Sequence, residues 1–169
     1  LFLGHIYQWH SPLQKIDSRL EKLNKKPFNQ VWLGGDVCSE SSKNHLTLKY
    51  IDKIFNLSNP KTYWAIGNHD IATNKFIPFK NNEVIKEFTK RKTFYTHYNN
   101  GFTALILNTN LDIMYQDNIK KYCEETEEQY KLIQLVSDTI IKSSHLVVLL
   151  HNVVWEELDT NATKYANYI

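Results

Sequence analysis

Short apolar runs alternate along this chain with longer segments in which apolar residues recur every three or four positions. Four runs rich in β-branched and aromatic residues predict strands, at 1–6, 30–35, 62–66 and 145–150. The segments that separate the first three runs have helical periodicity. The order strand, helix, strand, helix, strand favours parallel pairing through right-handed crossovers.

Two helices are predicted between the first three strands. Ser11 can cap the first helix, with Pro12 in its first turn. Its apolar face comprises Leu13, Ile16, Leu20 and Leu23. The second helix begins at Ser41 and ends before Asn59-Pro60. Its apolar stripe comprises Leu46, Tyr50, Ile51, Ile54 and Phe55.

The pattern changes in the second half of the chain. A loop is predicted at 71–80 and a short helix at 82–89. Strand-like runs at 93–98 and 102–108 flank Asn99-Asn100-Gly101, which predicts a β-hairpin. Thr126 and Gln129 have the spacing of a capping box and predict a helix that precedes the last strand. Antiparallel strands therefore follow the parallel crossover units.

Composition favours one globular domain over residues 1–169. The chain is 42% hydrophobic and 22% charged, and its net charge of +2 gives no nucleic-acid signature. No apolar run approaches the roughly 20 residues of a membrane helix. Two cysteines are too few for a disulfide framework or a four-cysteine zinc site. Because the chain opens inside an apolar run and stops at Tyr168-Ile169, we expect a piece of a longer domain.

Polar side chains stand at the end of each predicted strand. His5, Asp36, Asn68 with His69, and His151 occupy these positions. Because the carboxyl ends of parallel strands share one edge of a sheet, we expect these side chains to converge. Imidazole, carboxylate and amide oxygen suit Mn, Fe or Zn. The competing interpretation of Asn68, His69 and Asp70 is a polar turn after a strand.

Several of these segments resemble the motifs of one family. Gly35-Asp36 with Glu40 resembles a Gly-Asp-x-x-x-acid stretch, and Gly67-Asn68-His69-Asp70 matches a Gly-Asn-His-Asp/Glu signature. Leu149-Leu150-His151-Asn152 resembles a strand that ends in a metal-binding histidine, and Leu107-Asn108-Thr109-Asn110 resembles a Leu-Asp-Thr/Ser segment. In this order the motifs resemble the calcineurin-like metallophosphoesterases over essentially the whole chain.

The resemblance implies an α/β/β/α sandwich of two mixed sheets flanked by helices, truncated here on its C-terminal side. It also implies two bound metal ions, with Asp36 as their bridge and with Asn68 and His151 as ligands of the second metal. His69 would assist the leaving group, and Asp70 would hold His69 in its productive tautomer. A neighbouring carboxylate raises the basicity of an imidazole, which suits this pairing.

Two features depart from the family pattern. Where the family's first strand ends in Asp-x-His, this chain has His5-Ile6-Tyr7. His5 is predicted to substitute as a ligand of the first metal, with Tyr7 as phenolate or His10 as alternatives. The closing Gly-His-x-His of the family does not occur in the sequence. We therefore expect the second metal site to bind more tightly than the first.

The resemblance predicts metal-dependent hydrolysis of a phosphomonoester or phosphodiester by a metal-activated hydroxide. Two divalent or trivalent cations, Mn, Fe or Zn, would neutralise the phosphate oxygens and generate that nucleophile at neutral pH. The partner is then a phosphorylated substrate whose class the sequence leaves open. The altered first motif motivates an alternative, a degenerate phosphoesterase fold that acts as a binding or scaffold module without catalysis.

Overall fold

The computed structural model describes residues 1–6, 16–23, 28–38, 45–71, 78–99 and 101–152. Its six strands are β1 (Phe2–Leu3), β2 (Val31–Leu33), β3 (Thr62–Trp64), β4 (Tyr95–Asn99), β5 (Phe102–Ile106) and β6 (His145–Leu149). Its five helices are α1 (Ser18–Leu23), α2 (His45–Phe55), α3 (Pro78–Thr89), α4 (Leu111–Met114) and α5 (Ile119–Ile141). Within these ranges, none of the helices has the length and apolar character needed to cross a bilayer.

The strands form two sheets of three strands each. The first has the order β1-β2-β3 and is parallel, with Leu3 opposite Leu33 and Leu33 opposite Trp64. The second has the order β4-β5-β6 and is mixed, because β4 and β5 form the predicted hairpin and β6 pairs parallel to β5. The last strand therefore joins the hairpin and not the parallel sheet.

Alternation along the strands divides the core into layers. In and just after β3, Trp64 and Ile66 pack against the helices on one face, whereas Tyr63 and Ala65 face the second sheet. In β5, Ala104 and Ile106 face the first sheet. Leu105 and Leu107 pack instead on Ile133 and Val136 of α5. The order helices, sheet, sheet, helix confirms the predicted α/β/β/α class.

α1 and α3 begin at residues other than those predicted, and α2 differs at one core position, while its predicted start at Ser41 lies outside the described residues. Ile16 was predicted inside the first helix, but it lies before α1, where the Asp17 carboxylate accepts the backbone N–H of Arg19 and begins the helix at Ser18. The predicted start of that helix, at Ser11, lies outside the described residues. In α2, Leu46 is exposed and Leu48 takes its place in the core. α3 begins at Pro78, inside the segment predicted as a loop.

The capping box predicted at Thr126 and Gln129 is wrong. α5 begins at Ile119, and Asn118 is its N-cap, accepting the backbone N–H of Lys121. The Gln129 side chain is buried, accepting from the backbone N–H of Asn108 and donating to its carbonyl. Gln129 therefore ties α5 to the segment that follows β5. The short helix α4 was not predicted.

Candidate functional site

Two sharp turns carry the central residues of the site. After β2, Gly35 and Asp36 both have left-handed backbones, with φ of 90° and 52°. After β3, Gly67 passes so close to this turn that an added Cβ would clash with the backbone nitrogen and carboxylate of Asp36. A Cβ at Gly35 would likewise clash with the His151 ring. Glycine is therefore required at both positions for the two loops and His151 to meet.

The Asp36 carboxylate lies at the centre of the site and is 1% exposed. Its Oδ1 accepts the backbone N–H of His69 at 2.9 Å. Its Oδ2 lies 3.0 Å from Nε2 of His5 and 3.4 Å from Nε2 of His151. The carboxylate thus joins the loop after β1, the loop after β3 and His151, two residues after the end of β6.

His151 reaches this point from the second sheet. The expectation that the ends of one parallel sheet bring all these residues together is therefore corrected: the packing of the two sheets brings His151 in. Its Nδ1 lies 2.9 Å from the Gly34 carbonyl, and its Nε2 lies 3.1 Å from Oδ1 of Asn68. Because a carbonyl only accepts, Nδ1 carries a proton, which leaves Nε2 directed at Asn68 and Asp36.

Asp36 and His151 shift each other's protonation equilibria. Burial raises the pKa of Asp36, but the hydrogen bond and charge of His151, together with His69, outweigh it and lower that pKa. The hydrogen bond from Asp36 raises the pKa of His151, against burial, which lowers it. The pair therefore stabilises the fold most between these two pKa values. That contribution is lost as pH falls through the first or rises through the second.

Asp70 is fully buried and accepts hydrogen bonds from both loops. Its Oδ2 accepts the backbone N–H of Asp36 at 2.8 Å, that of Gly67 at 2.9 Å and the Trp64 indole N–H at 3.2 Å. Its Oδ1 accepts the backbone N–H of Val37 at 2.9 Å. These bonds join the turn after β2 to the turn after β3.

His5 occupies the solvent side of the site. Its side chain is 61% exposed, compared with 13% for His151. Its backbone is left-handed, with φ of 55°, and its N–H donates to the Gly35 carbonyl at 3.1 Å. The ring centroids of His5 and His69 lie 6.4 Å apart. The structure therefore gathers four of the predicted site residues, His5, Asn68, His69 and His151, around Asp36, and the buried carboxylate of Asp70 holds the two loops that carry three of these five residues.

A family model described as calcineurin-like phosphoesterase matches residues 8–167 of this chain. The matched range includes both loops and His151. The chain belongs to the calcineurin-like phosphoesterase family. No curated protein and no solved structure matches it significantly. His5 precedes the matched range.

Members of this family generally bind divalent metals, and the donor types here are compatible with that chemistry. A carboxylate, two imidazoles and an amide oxygen approach one another within 3.0–3.4 Å. In the part of the chain that the structure describes, however, no three His, Cys, Asp or Glu side chains surround a common metal position. The donor atoms contact one another directly. The residues of this phosphoesterase chain therefore suit a metal ion by their donor types and by their convergence on one place.

A pair of asparagines beside the site, Asn110 and Asn152, had no role predicted from the sequence. Asn110 is fully buried, and its side chain donates to the Ile66 carbonyl at 2.8 Å, one residue before Gly67. Its Oδ1 accepts from the side chain of Asn152 at 2.8 Å, directly after His151. Asn110 therefore links the ends of the two sheets. Its place in the motif segment 107–110 was a signal, but no role was predicted for it.

Three residues named as possible participants lie outside the described residues. These are Tyr7 and His10, the alternatives to His5 at the first metal, and Glu40, the second acid of the Gly-Asp motif. Their predicted roles stay predictions.

Proposed function

We propose that this protein hydrolyses phosphoesters with two divalent or trivalent metal ions, Mn, Fe or Zn, and that residues 1–169 form one such domain. Family membership supports the reaction class. The observation that carries the proposal is that Nε2 of His151, which comes from the second sheet, lies 3.4 Å from Asp36 and 3.1 Å from Asn68, which both follow strands of the first sheet. Asp36, Asn68, His151 and His5 would hold the metals.

The residues of the chain have separate tasks in this proposal. Bound metals would neutralise the phosphate oxygens and lower the pKa of water. Asp36 would help to hold both metals, and its negative charge would balance part of their positive charge. Nδ1–H of His151 donates to the Gly34 carbonyl, so its Nε2 is available as a ligand. His69, held near Asp36 by its backbone N–H, donates a proton to the leaving oxygen, and Asp70 is proposed to orient it.

The proposed reaction is tested with the aryl substrates p-nitrophenyl phosphate and bis(p-nitrophenyl) phosphate in the presence of Mn²⁺. We expect turnover of at least one of them. His69→Ala should lower kcat by about 10²–10⁴-fold, the usual contribution of a positioned acid, with little change in Mn²⁺ affinity. His45→Ala is the matched control, because His45 is exposed on α2 beside Glu87. Full activity of His69→Ala would contradict the proposed role.

A second function has its own support. The altered first motif and the exposure of His5 support an alternative, a non-catalytic protein that uses this fold to bind a partner. Equilibrium dialysis with Mn²⁺ separates the two. Binding of two ions per chain together with turnover supports the enzyme. Binding of none, with no turnover of either ester, supports the binding or scaffold module.

A further inference from the structure

Besides its proposed role toward His69, Asp70 contacts the site through the backbone of Asp36. Its buried carboxylate accepts the N–H groups of Asp36 and Val37 from one loop and of Gly67 from the other. The Trp64 indole N–H fills a further position on Oδ2. All four groups are hydrogen-bond donors, which is the environment that a charged carboxylate requires when it is buried.

Each of the two loops accepts, through a carboxylate, a backbone N–H of the other loop. The side chain of Asp70 accepts the backbone N–H of Asp36, and the side chain of Asp36 accepts the backbone N–H of His69, one residue before Asp70. Each acid therefore fixes the loop that carries the other. One bond therefore holds the Asp36 backbone and the other holds its side chain.

Asp36 needs such a constraint because of its backbone conformation. With φ of 52° it lies in the left-handed region, which a residue with a Cβ seldom adopts. Hydrogen bonds to its own N–H and to that of Val37 hold the turn from both sides of the residue. Strained conformations of this kind persist where the surroundings over-determine them.

We propose that Asp70 is a positioning residue for Asp36. It holds the turn after β2 left-handed and thereby directs the Asp36 carboxylate at His5 and His151. This inference deepens the proposed function, since it assigns the alignment of the bridging ligand to Asp70. It differs from the role of Asp70 toward His69, because its effect passes through the backbone and does not need the imidazole.

An asparagine at position 70 tests this role with little change of shape. It offers one acceptor atom in place of two, so its NH₂ group must face either the Val37 N–H or the three donors at Oδ2. In either orientation the loop after β2 therefore loses one of its two bonds to residue 70, from Val37 or from Asp36, and in the second orientation Gly67 loses its bond as well. Asp70→Glu, which keeps the charge and moves it by one methylene, replaces Asp70→Asn if that variant fails to fold.

The experiment compares His69→Ala with His69→Ala/Asp70→Asn in the full chain, by calorimetric titration with Mn²⁺ alone. Because both proteins lack the imidazole, an effect of Asp70 on His69 is absent. We expect the second protein to bind Mn²⁺ about 10- to 100-fold more weakly, the usual consequence of losing a partner that orients a ligand. Equal affinities would overturn the inference.

Asp52→Asn is the matched control. Asp52 also accepts a backbone N–H, that of Leu57 at 2.7 Å, but it does so at the end of α2. In the His69→Ala background it should leave the Mn²⁺ affinity unchanged. A comparable loss in this control would show a general effect of destabilisation and would also overturn the inference.

A crystal structure of metal-free Asp70→Asn gives the second readout. We expect Asp36 to leave the left-handed region and its side chain to lose the bond from the His69 amide. If the parent protein bound no Mn²⁺, the proposed function would fail, and this structure alone would decide the inference. Asp36 retained at φ near 52° with that bond intact would overturn it. If Asp70→Asn weakened Mn²⁺ binding as expected but the wild type hydrolysed neither ester, the proposed catalysis would be refuted and the positioning role of Asp70 would stand.

Discussion

The two sides of the Asp36 carboxylate are built differently. On one side, His151 is 13% exposed, and its ring is held by the Gly34 carbonyl and by Asn68. On the other side, His5 is 61% exposed and reaches the same Oδ2 from the end of a two-residue strand. The packing of the two sheets therefore holds the buried side in place, since both sheets contribute residues to it.

The difference extends to the supports around each histidine. Asp70 and Asn110 hold the loops beside His151 through buried side-chain hydrogen bonds. The family match also includes this side and begins after His5. The altered first motif, which contains His5, therefore lies on the side of the site that has fewer buried hydrogen bonds to hold its side chains.

The largest effect is expected from Gly67→Ala. Its Cβ would clash with the backbone nitrogen and side chain of Asp36, so one of the two loops must move. We expect the free energy of unfolding to fall by about 3 kcal/mol, at the upper end for overpacking. Gly4→Ala on the His5 side meets only ordinary contacts with Phe2 and should change it by less than about 0.5 kcal/mol. Denaturant titration of both variants measures this, and equal effects would remove the distinction between the sides.

Next come the two histidines themselves. His151→Ala should weaken Mn²⁺ binding by about 100-fold, since a ligand is worth at least as much as the partners that orient one. His5→Ala should weaken it by less than about tenfold, because an exposed side chain is held less firmly in place. Isothermal titration of both variants gives the ratio. A larger loss from His5→Ala would reverse our view of which side binds metal more tightly.

A smaller effect is expected from Asn110→Ala. It leaves the Ile66 carbonyl and the Asn152 side chain without their partner, which should cost about 1–2 kcal/mol of stability. Asn152→Ala breaks only one of these two bonds and should cost less. Thermal unfolding of the two variants ranks them. An Asn110→Ala protein as stable as the wild type would show that the link between the sheets is dispensable.

The smallest effect concerns the cysteines, neither of which is in a disulfide. Cys38 lies two residues after Asp36, and burial, with the charge of Asp70, raises the pKa of its thiol to about 12. At pH 8 iodoacetamide should therefore modify the exposed Cys123 and leave both Cys38 and the rate of ester hydrolysis unchanged. Mass spectrometry after brief alkylation checks this. Rapid modification of Cys38 would show that the loop after β2 opens readily.

The sequence predicted the strands, the hairpin and the polar residues at the strand ends because these follow from local signals. The runs of β-branched and aromatic residues, the Asn-Asn-Gly turn and the glycines before Asp36 and Asn68 each act over a few residues. Family resemblance then supplied the layers and the pairing of His151 with Asn68. None of this required knowledge of contacts between distant segments.

What the sequence missed depends on such contacts. Gln129 has the spacing of a capping residue, but its burial against the Asn108 backbone prevails over that local pattern. The links made by Asn110 and Asp70 join atoms more than 30 residues apart. The sheet that β6 joins depends on its pairing with β5, which the apolar run 146–150 does not specify.

Anomalous diffraction from crystals soaked in Mn²⁺ tests the central claim most directly, that Asp36 is the metal bridge of this site. We expect a strong peak about 2.2 Å from an Asp36 carboxylate oxygen, with His151 and Asn68 as further ligands. A second, weaker peak is expected on the side of His5. The absence of any peak at Asp36, at Mn²⁺ concentrations that saturate binding in solution, would contradict the claim.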